Sequence, residues 1–264
     1  MTELLTTAHS WHPPAGAVSR GTLLVLPGRG EHGGVYERFG RRLAADAYVV
    51  HALGTEPGAD RDTVRSALRQ AAGPDPVAPV VLVGADTGAL QALVAAADPD
   101  PELAVHGIIL AGTAPTAAAG FQAGEGWDAE LAARTACPVH RRRLAEDPGF
   151  ARGRLGDPAP DALAAAAETA APELPVLVLH GDADPVTPAD RARALAARLP
   201  RASLGVVRGG LHDTVNDASH RTTAAAVVQW LERLRGGPEL SPILTIEPIV
   251  PIVPIASITR EPRS

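Results

Sequence analysis

The residues of this chain best placed to do chemistry begin with Asp86. It is the centre of Gly84-Ala85-Asp86-Thr87-Gly88. An apolar run, Val80–Val83, precedes it and an Ala/Leu-rich stretch follows. This is the G-x-S-x-G pattern of a sharp strand-to-helix turn, with aspartate in the place of serine. Such a turn lifts its central side chain above a sheet, and its glycines allow backbone approach where a Cβ would clash. A carboxylate is already ionised near neutral pH, so it needs no base to attack a saturated carbon bearing a leaving group or a strained epoxide. Attack on a carboxylic ester would instead give a mixed anhydride, so for esters or lactones the alternative is direct water attack, with Asp86 helping to place the water.

Two further stretches supply partners. Gly181-Asp182-Ala183-Asp184-Pro185 ends the apolar run Val176–Leu179 and sets Asp184 where a carboxylate can orient a histidine. Taken alone it reads better as an Asp-Pro turn or a helix cap. Gly209-Gly210-Leu211-His212-Asp213 places a histidine before the last long helical stretch. Nucleophile, acid and histidine thus occur in the chain order of the α/β-hydrolase triad, each in a loop after a strand. A fourth stretch, Leu26-Pro27-Gly28-Arg29-Gly30-Glu31-His32-Gly33-Gly34-Val35-Tyr36, is a glycine-rich turn able to aim a backbone N–H at the same point. It lacks the G-K-[ST] of a phosphate-binding loop and the G-x-G-x-x-G with acidic partner of a dinucleotide fold.

These motifs resemble the monoacylglycerol lipase and lysophospholipase branch of the α/β-hydrolase superfamily. Pro27–Tyr36 is similar to that branch's H-G-x-G-E-H-x-x-x-Y loop. His212 through Trp230, with Asn216, Arg221 and Gln229-Trp230-Leu231, resembles its H-E-x-x-N-E…R…W-L ending. The resemblance spans roughly residues 20–235 apart from an inserted segment. It implies a triad of Asp86, Asp184 and His212, and an oxyanion hole from the backbone N–H groups of Arg29 and Thr87. Two positions depart from the pattern: Pro27 stands for the loop's histidine, and Asp86 for serine. An aspartate there resembles haloalkane dehalogenases and epoxide hydrolases. Yet Thr87 replaces the tryptophan usual after their aspartate, and the chain's two tyrosines, Tyr36 and Tyr48, lie outside the inserted segment. The implied function is a hydrolase of a small organic ester, lactone, epoxide or haloalkane, without a cofactor. The alternative is a non-hydrolytic tailoring enzyme or an inactive ligand-binding homologue.

The elements that must position these residues are legible as alternation. Strands are expected at Thr22–Leu26, Tyr48–Leu53, Val80–Val83, Ala104–Leu110, Pro175–Leu179 and Ser203–Val207. Helices are expected near Val35–Ala45, Arg61–Ala72, Thr87–Ala97, Asp190–Leu199 and Ser219–Leu234. Continuous apolar strands between helices predict an α/β fold, a mainly parallel sheet covered on both faces. Ligands in such sheets bind at the carboxyl ends of the strands. The whole reads as a single domain with one insertion. Residues 113–172 carry only Ala-rich helical pieces broken by Gly and Pro, too long for an ordinary crossover, and are expected to form a helical cap. From residue 236 to 264 the chain is expected to be an extended tail, with proline at every third position in Glu247–Ile255. Such a tail can contact another subunit of a homo-oligomer.

Other candidates carry less. Phe121 and Trp127 in the cap, Trp11 and Gly28 are candidate walls of a substrate pocket. Arg141-Arg142-Arg143 reads as a solvated helix face rather than an anion site, and Cys137, the only cysteine, as a packing residue. His32 and His140 lack the spacing of a metal site. Asn216 and Arg221 are expected to brace the histidine loop. All 24 Lys+Arg positions are Arg, and the net charge of −6 disfavours nucleic acid or an anionic membrane as partner. No window offers an apolar span long enough for a membrane helix, and the first 20 residues lack the form of a secretory signal. A cytoplasmic protein acting on a small molecule is the expectation.

Overall fold

The computed structural model describes residues 8–115 and 126–245. Seven strands form one sheet: β1 (His9–Trp11), β2 (Thr22–Leu26), β3 (Val49–Ala52), β4 (Val80–Ala85), β5 (Gly107–Ala111), β6 (Val176–Gly181) and β7 (Ala202–Val207). Their order across the sheet is β1-β3-β2-β4-β5-β6-β7. Every neighbouring pair is parallel except β1 with β3, which run antiparallel. The central strands are buried on both faces, which is why β2, β4, β5 and β6 are unbroken apolar runs rather than alternating ones. The register sets Leu23 between Val50 and Val81, and Ile109 beside Leu177.

Among the described residues eight α-helices accompany the strands: α1 (Glu37–Ala45), α2 (Arg61–Ala72), α3 (Thr87–Ala97), α4 (Gly126–Arg134), α5 (Pro138–Glu146), α6 (Asp161–Thr169), α7 (Ala189–Arg198) and α8 (His220–Arg235). Two apolar clusters sandwich the sheet. One gathers Phe39 and Leu43 of α1 with Val227, Trp230 and Leu231 of α8. The other gathers Val64 and Leu68 of α2, Leu90 and Leu93 of α3, and Ala192 of α7. The expected architecture is therefore present: an α/β sheet with helices on both faces.

The differences are local. Strand β1 has no expected counterpart; its three residues carry too little pattern, and pairing with β3 decides it. There Trp11 lies over Gly40 of α1, where an added Cβ would come within 2.1 Å of the indole. Trp11 thus packs between β1 and α1, against the core on that face. Gly33–Tyr36 form a 3₁₀ turn, so α1 starts at Glu37 rather than near Val35. Within 112–172 the described residues contain no strand, only α4, α5, α6 and a short 3₁₀ turn at Arg154–Gly156. Of the tail, residues up to 245 are described; Leu240 is buried and its carbonyl accepts from the Arg233 guanidinium. The Pro-Ile repeat of Glu247–Ile255 lies outside the described residues, as does Phe121.

Candidate active site

The turn after β4 holds Asp86 at φ +52°, ψ −118°, a conformation that costs a side-chain-bearing residue roughly 1–3 kcal/mol. The flanking glycines are required. A Cβ on Gly84 would meet the Gly88 carbonyl oxygen at 2.2 Å, and one on Gly88 would meet that of Leu26 at 2.1 Å. Asp86 O also accepts from the Ala114 N–H (3.1 Å), tying the turn to the segment after β5. Thr87 opens α3, so its N–H is among the first-turn donors without an intrahelical acceptor.

The three residues the sequence singled out meet here. His212 Nδ1 lies 2.9 Å from Asp184 Oδ2, and His212 Nε2 lies 3.1 Å from Asp86 Oδ1. Asp184 is held in turn by the backbone N–H groups of Val186 (2.8 Å) and Thr187 (3.2 Å), which donate to its Oδ1. Gly112, at φ +49°, lies against the His212 carbonyl; a Cβ would meet that oxygen at 2.1 Å. All three side chains are almost wholly buried.

A fourth group joins them that the motifs did not reveal. The guanidinium of Arg29 forks onto Asp86, Nε to Oδ2 at 2.8 Å and Nη2 to Oδ1 at 2.7 Å. The Arg29 backbone N–H donates to Asp86 Oδ2 as well, at 2.8 Å. The N–H expected to serve an oxyanion therefore points at the site, and in this state it holds the carboxylate itself. Gly28 is the reason the loop fits, since a Cβ there would come within 2.7 Å of Asp86 Cβ. The sequence offered one signal for the clamp, an arginine at the variable position of the loop, but nothing in the motif says where that side chain turns.

Beneath this loop lies a second buried charged group, also unforeseen. Arg134 of α4 donates to Glu130 Oε1 (3.0 Å) and to the Arg29 carbonyl (2.6 Å), and lies 3.5 Å from Asp213. Asp213 also contacts His140 Nε2 at 3.1 Å. Glu31 accepts from Gly28 N–H and Tyr36 Oη. The i,i+4 spacing of Glu130 and Arg134 was the available signal. Trp127 packs on Phe150 (5.5 Å between rings) with the Arg152 guanidinium over its face. Arg143 bridges Glu37 and the Gly34 carbonyl, fastening α5 to the turn before α1, while Arg142 is exposed. Asn216 is buried and its carbonyl accepts from Arg38; Arg221 is exposed on α8, with no hydrogen bond to the loop among the described residues. Cys137 is buried, with its Sγ 3.1 Å from Arg38 Nη1. Among the described residues no group of three or more His, Cys, Asp or Glu could hold a metal, and no helix is long and apolar enough to cross a membrane.

The charges settle in a definite way. Burial opposes ionisation of Asp86, but the Arg29 guanidinium and His212 outweigh it and hold the carboxyl well below the usual range. Burial likewise works against charge on His212, yet its two carboxylate neighbours, Asp184 foremost, raise it to about 10. Asp184 is lowered: burial would raise it, and His212 more than compensates. Near neutrality the resting site is carboxylate–imidazolium–carboxylate, clamped by a guanidinium.

The sheet order, the strand–turn–helix at Asp86 and the loops bearing Asp184 and His212 define the α/β-hydrolase fold. A family model described as TAP-like protein matches residues 155–236, the stretch that includes Asp184, His212 and α8. Among solved structures, the monoacylglycerol lipase of Paleococcus ferrophilus aligns with a TM-score of 0.66 at 19% identity, over 87% of this chain and 99% of that one. A soluble variant of the monoglyceride lipase of Saccharomyces cerevisiae, in complex with a substrate analog, aligns at 0.65 and 16%, over 86% and 91%. A thermophilic esterase from Thermogutta terrifontis aligns at 0.58 and 18%, over 87% and 94%. No curated protein matches the sequence.

Proposed function

We propose that this protein is a hydrolase that opens a small epoxide through a covalent ester on Asp86. The observation that carries the reading is the placement of His212, within hydrogen-bond reach of Asp86 on one side and Asp184 on the other. Asp86 Oδ1 attacks a ring carbon, forming a C–O bond as the ring C–O bond breaks. The alkoxide released takes the proton of the His212 imidazolium, a proton source in a chain whose cap lacks tyrosine. Arg29, relieved of its carboxylate partner as that charge is consumed, remains as a buried cation beside the reacting carboxyl. His212, now neutral, accepts a proton from water as the water attacks the Asp86 carbonyl. The Arg29 and Thr87 N–H groups hold the oxyanion that forms. The diol leaves, Asp86 regains its carboxylate and His212 its proton, so epoxide and water are the only net reactants.

The ionisation pattern also ranks the alternatives. Direct water attack on an ester or lactone needs a neutral His212 at the outset, which two flanking carboxylates oppose. A haloalkane fits the first step but takes up no proton, so the imidazolium would have to discharge to solvent. The residues of 113–172 are proposed as the cap over this site, with Phe121 and Trp127 among its apolar walls.

One observation favours a second reading. A bidentate guanidinium occupies both Asp86 oxygens and lowers their basicity, as expected of a closed ion pair in a non-hydrolytic or ligand-binding protein. Turnover of the purified protein against epoxides, haloalkanes, acyl esters and lactones separates the two. The hydrolase reading expects diol from epoxides, lost about a thousandfold or more in Asp86→Asn. Ester turnover surviving in Asp86→Asn, or silence across all four classes, contradicts it.

A further inference from the structure

Asp217 follows His212 in the same loop, just before α8. The ordinary task of an aspartate there is to cap the helix that follows. Asp217 does something else: α8 has Ser219 as its N-cap, and the Asp217 side chain bonds elsewhere. The residue is only 1% exposed. Its Oδ1 accepts from the Thr135 hydroxyl at 2.9 Å and the Ala136 N–H at 2.7 Å, in the turn between α4 and α5. Its Oδ2 accepts from the Leu211 N–H at 2.8 Å, immediately before His212. One buried carboxylate thus joins two segments that lie far apart in the chain.

The end of α4 holds the histidine loop through the backbone as well. The last carbonyls of a helix have no donor within it. Here the His212 N–H donates to the Ala133 carbonyl (3.3 Å) and the Asp213 N–H to that of Arg134 (2.8 Å). The consecutive N–H groups of Leu211, His212 and Asp213 therefore all hang from the end of α4 and the turn after it. Through the Arg134 guanidinium the same helix end also reaches the Arg29 carbonyl. Of the three loop bonds, only that of Leu211 is made through a side chain, so a substitution can remove it and leave the α4 backbone as it is. A carboxylate suits the place because it offers acceptors alone; an amide of the same shape sets an NH2 against a donor whichever way it is turned. We propose that Asp217 is a positioning residue for His212. It fixes the main chain just before the histidine against α4 and α5, so that Nδ1 and Nε2 reach Asp184 and Asp86 together. The proposal rests on the reading of His212 as the group that serves Asp86. Misplacing such a group by 1 Å can cost a reaction about a hundredfold.

The test reads His212 directly, on the full chain and without a substrate. In the parent the His212 ring proton shared with Asp184 should give a separate downfield NMR resonance. Asp217→Asn should shift or broaden that resonance at temperatures well below its melt. Thr135→Val, which removes one of the three donors, should move it in the same direction by less. Val64→Ala, in the apolar layer of α2 and α3, is the control for destabilisation alone and should leave it in place. With an epoxide that the parent turns over, Asp217→Asn should lower kcat about 10- to 100-fold and leave KM nearly unchanged. An unmoved resonance in Asp217→Asn, or an equal shift in Val64→Ala, would overturn the assignment. If Asp217→Asn does not fold, Thr135→Val decides, and an unmoved resonance there overturns it. A resonance that moves as expected, in a parent that turns over no epoxide, would uphold the role of Asp217 and sink the hydrolase reading instead.

Discussion

Asp86 does not stand alone where a serine would have stood; it is one half of an ion pair whose other half is Arg29. The two side chains are buried together, and a buried guanidinium without its carboxylate is expensive, commonly about 3–5 kcal/mol. Installing a serine therefore should not turn this chain into a serine esterase. Asp86→Ser alone is expected to melt well below the parent and stay inactive on p-nitrophenyl esters. Asp86→Ser with Arg29→Met, which removes the stranded cation while keeping an apolar stem, should recover most of the lost stability. The check is a thermal-melt double-mutant cycle; additive losses from the two changes would show that Arg29 and Asp86 are not coupled. The sequence made Asp86 conspicuous because its neighbours are glycines at fixed offsets. It left Arg29 unseen because a side chain reaching across 57 positions leaves no periodic trace.

Strands and loops explain why the site residues were easier to find than their supports. Strands β2, β4, β5 and β6 are buried on both faces, and that burial writes a run of Val, Leu and Ile that any reading detects. Their carboxyl ends then locate the turns after β2, β4 and β6. Strand β1 escaped because three residues carry no pattern, and α4–α6 were legible as helical without showing which faces they bury. Arg134 of α4 is the cost of that blindness: it fixes the carbonyl of Arg29 from a segment read only as a cap. The loop carrying His212 depends on close backbone approach at Gly112, whose positive φ and contact with the His212 carbonyl both exclude a side chain. Gly112→Ala is expected to destabilise the fold by about 2 kcal/mol or more and to displace His212. The histidine's ring-proton NMR resonance, shifted downfield by its two carboxylates in the parent, should move. A Gly112→Ala protein with parental melting temperature and an unmoved resonance would refute this packing argument.

The molecule as a whole should carry the site's charges in its pH dependence. Asp86 and Asp184 are held below their ordinary 3.8, so the stability they contribute is present above about 4 and lost as pH falls further. His212 is raised from 6.5 to about 10, so its contribution is complete below 6.5 and drains away as pH climbs toward 10. The melting temperature should therefore be highest between about pH 4 and 6.5 and decline through the alkaline range. In His212→Gln that alkaline decline should flatten. A parent melting temperature unchanged from pH 6.5 to 10 would contradict the carboxylate–imidazolium–carboxylate arrangement. Two apolar layers around a parallel sheet tolerate such a site because it is confined to one rim, where loops rather than strands meet.

The central claim, that Asp86 attacks carbon and His212 releases the ester, is tested most directly by trapping. His212→Ala would be incubated at mildly acidic pH with an excess of a terminal epoxide, so that solvent supplies the ring-opening proton that His212 gives in the parent, and its intact mass recorded, followed by peptide mapping. The account predicts one added epoxide mass per chain, located on Asp86, persisting because water is no longer activated, with diol production slowed about 10²–10⁴-fold. Diol formed at the parent rate with no adduct, or an adduct on any other residue, would contradict it.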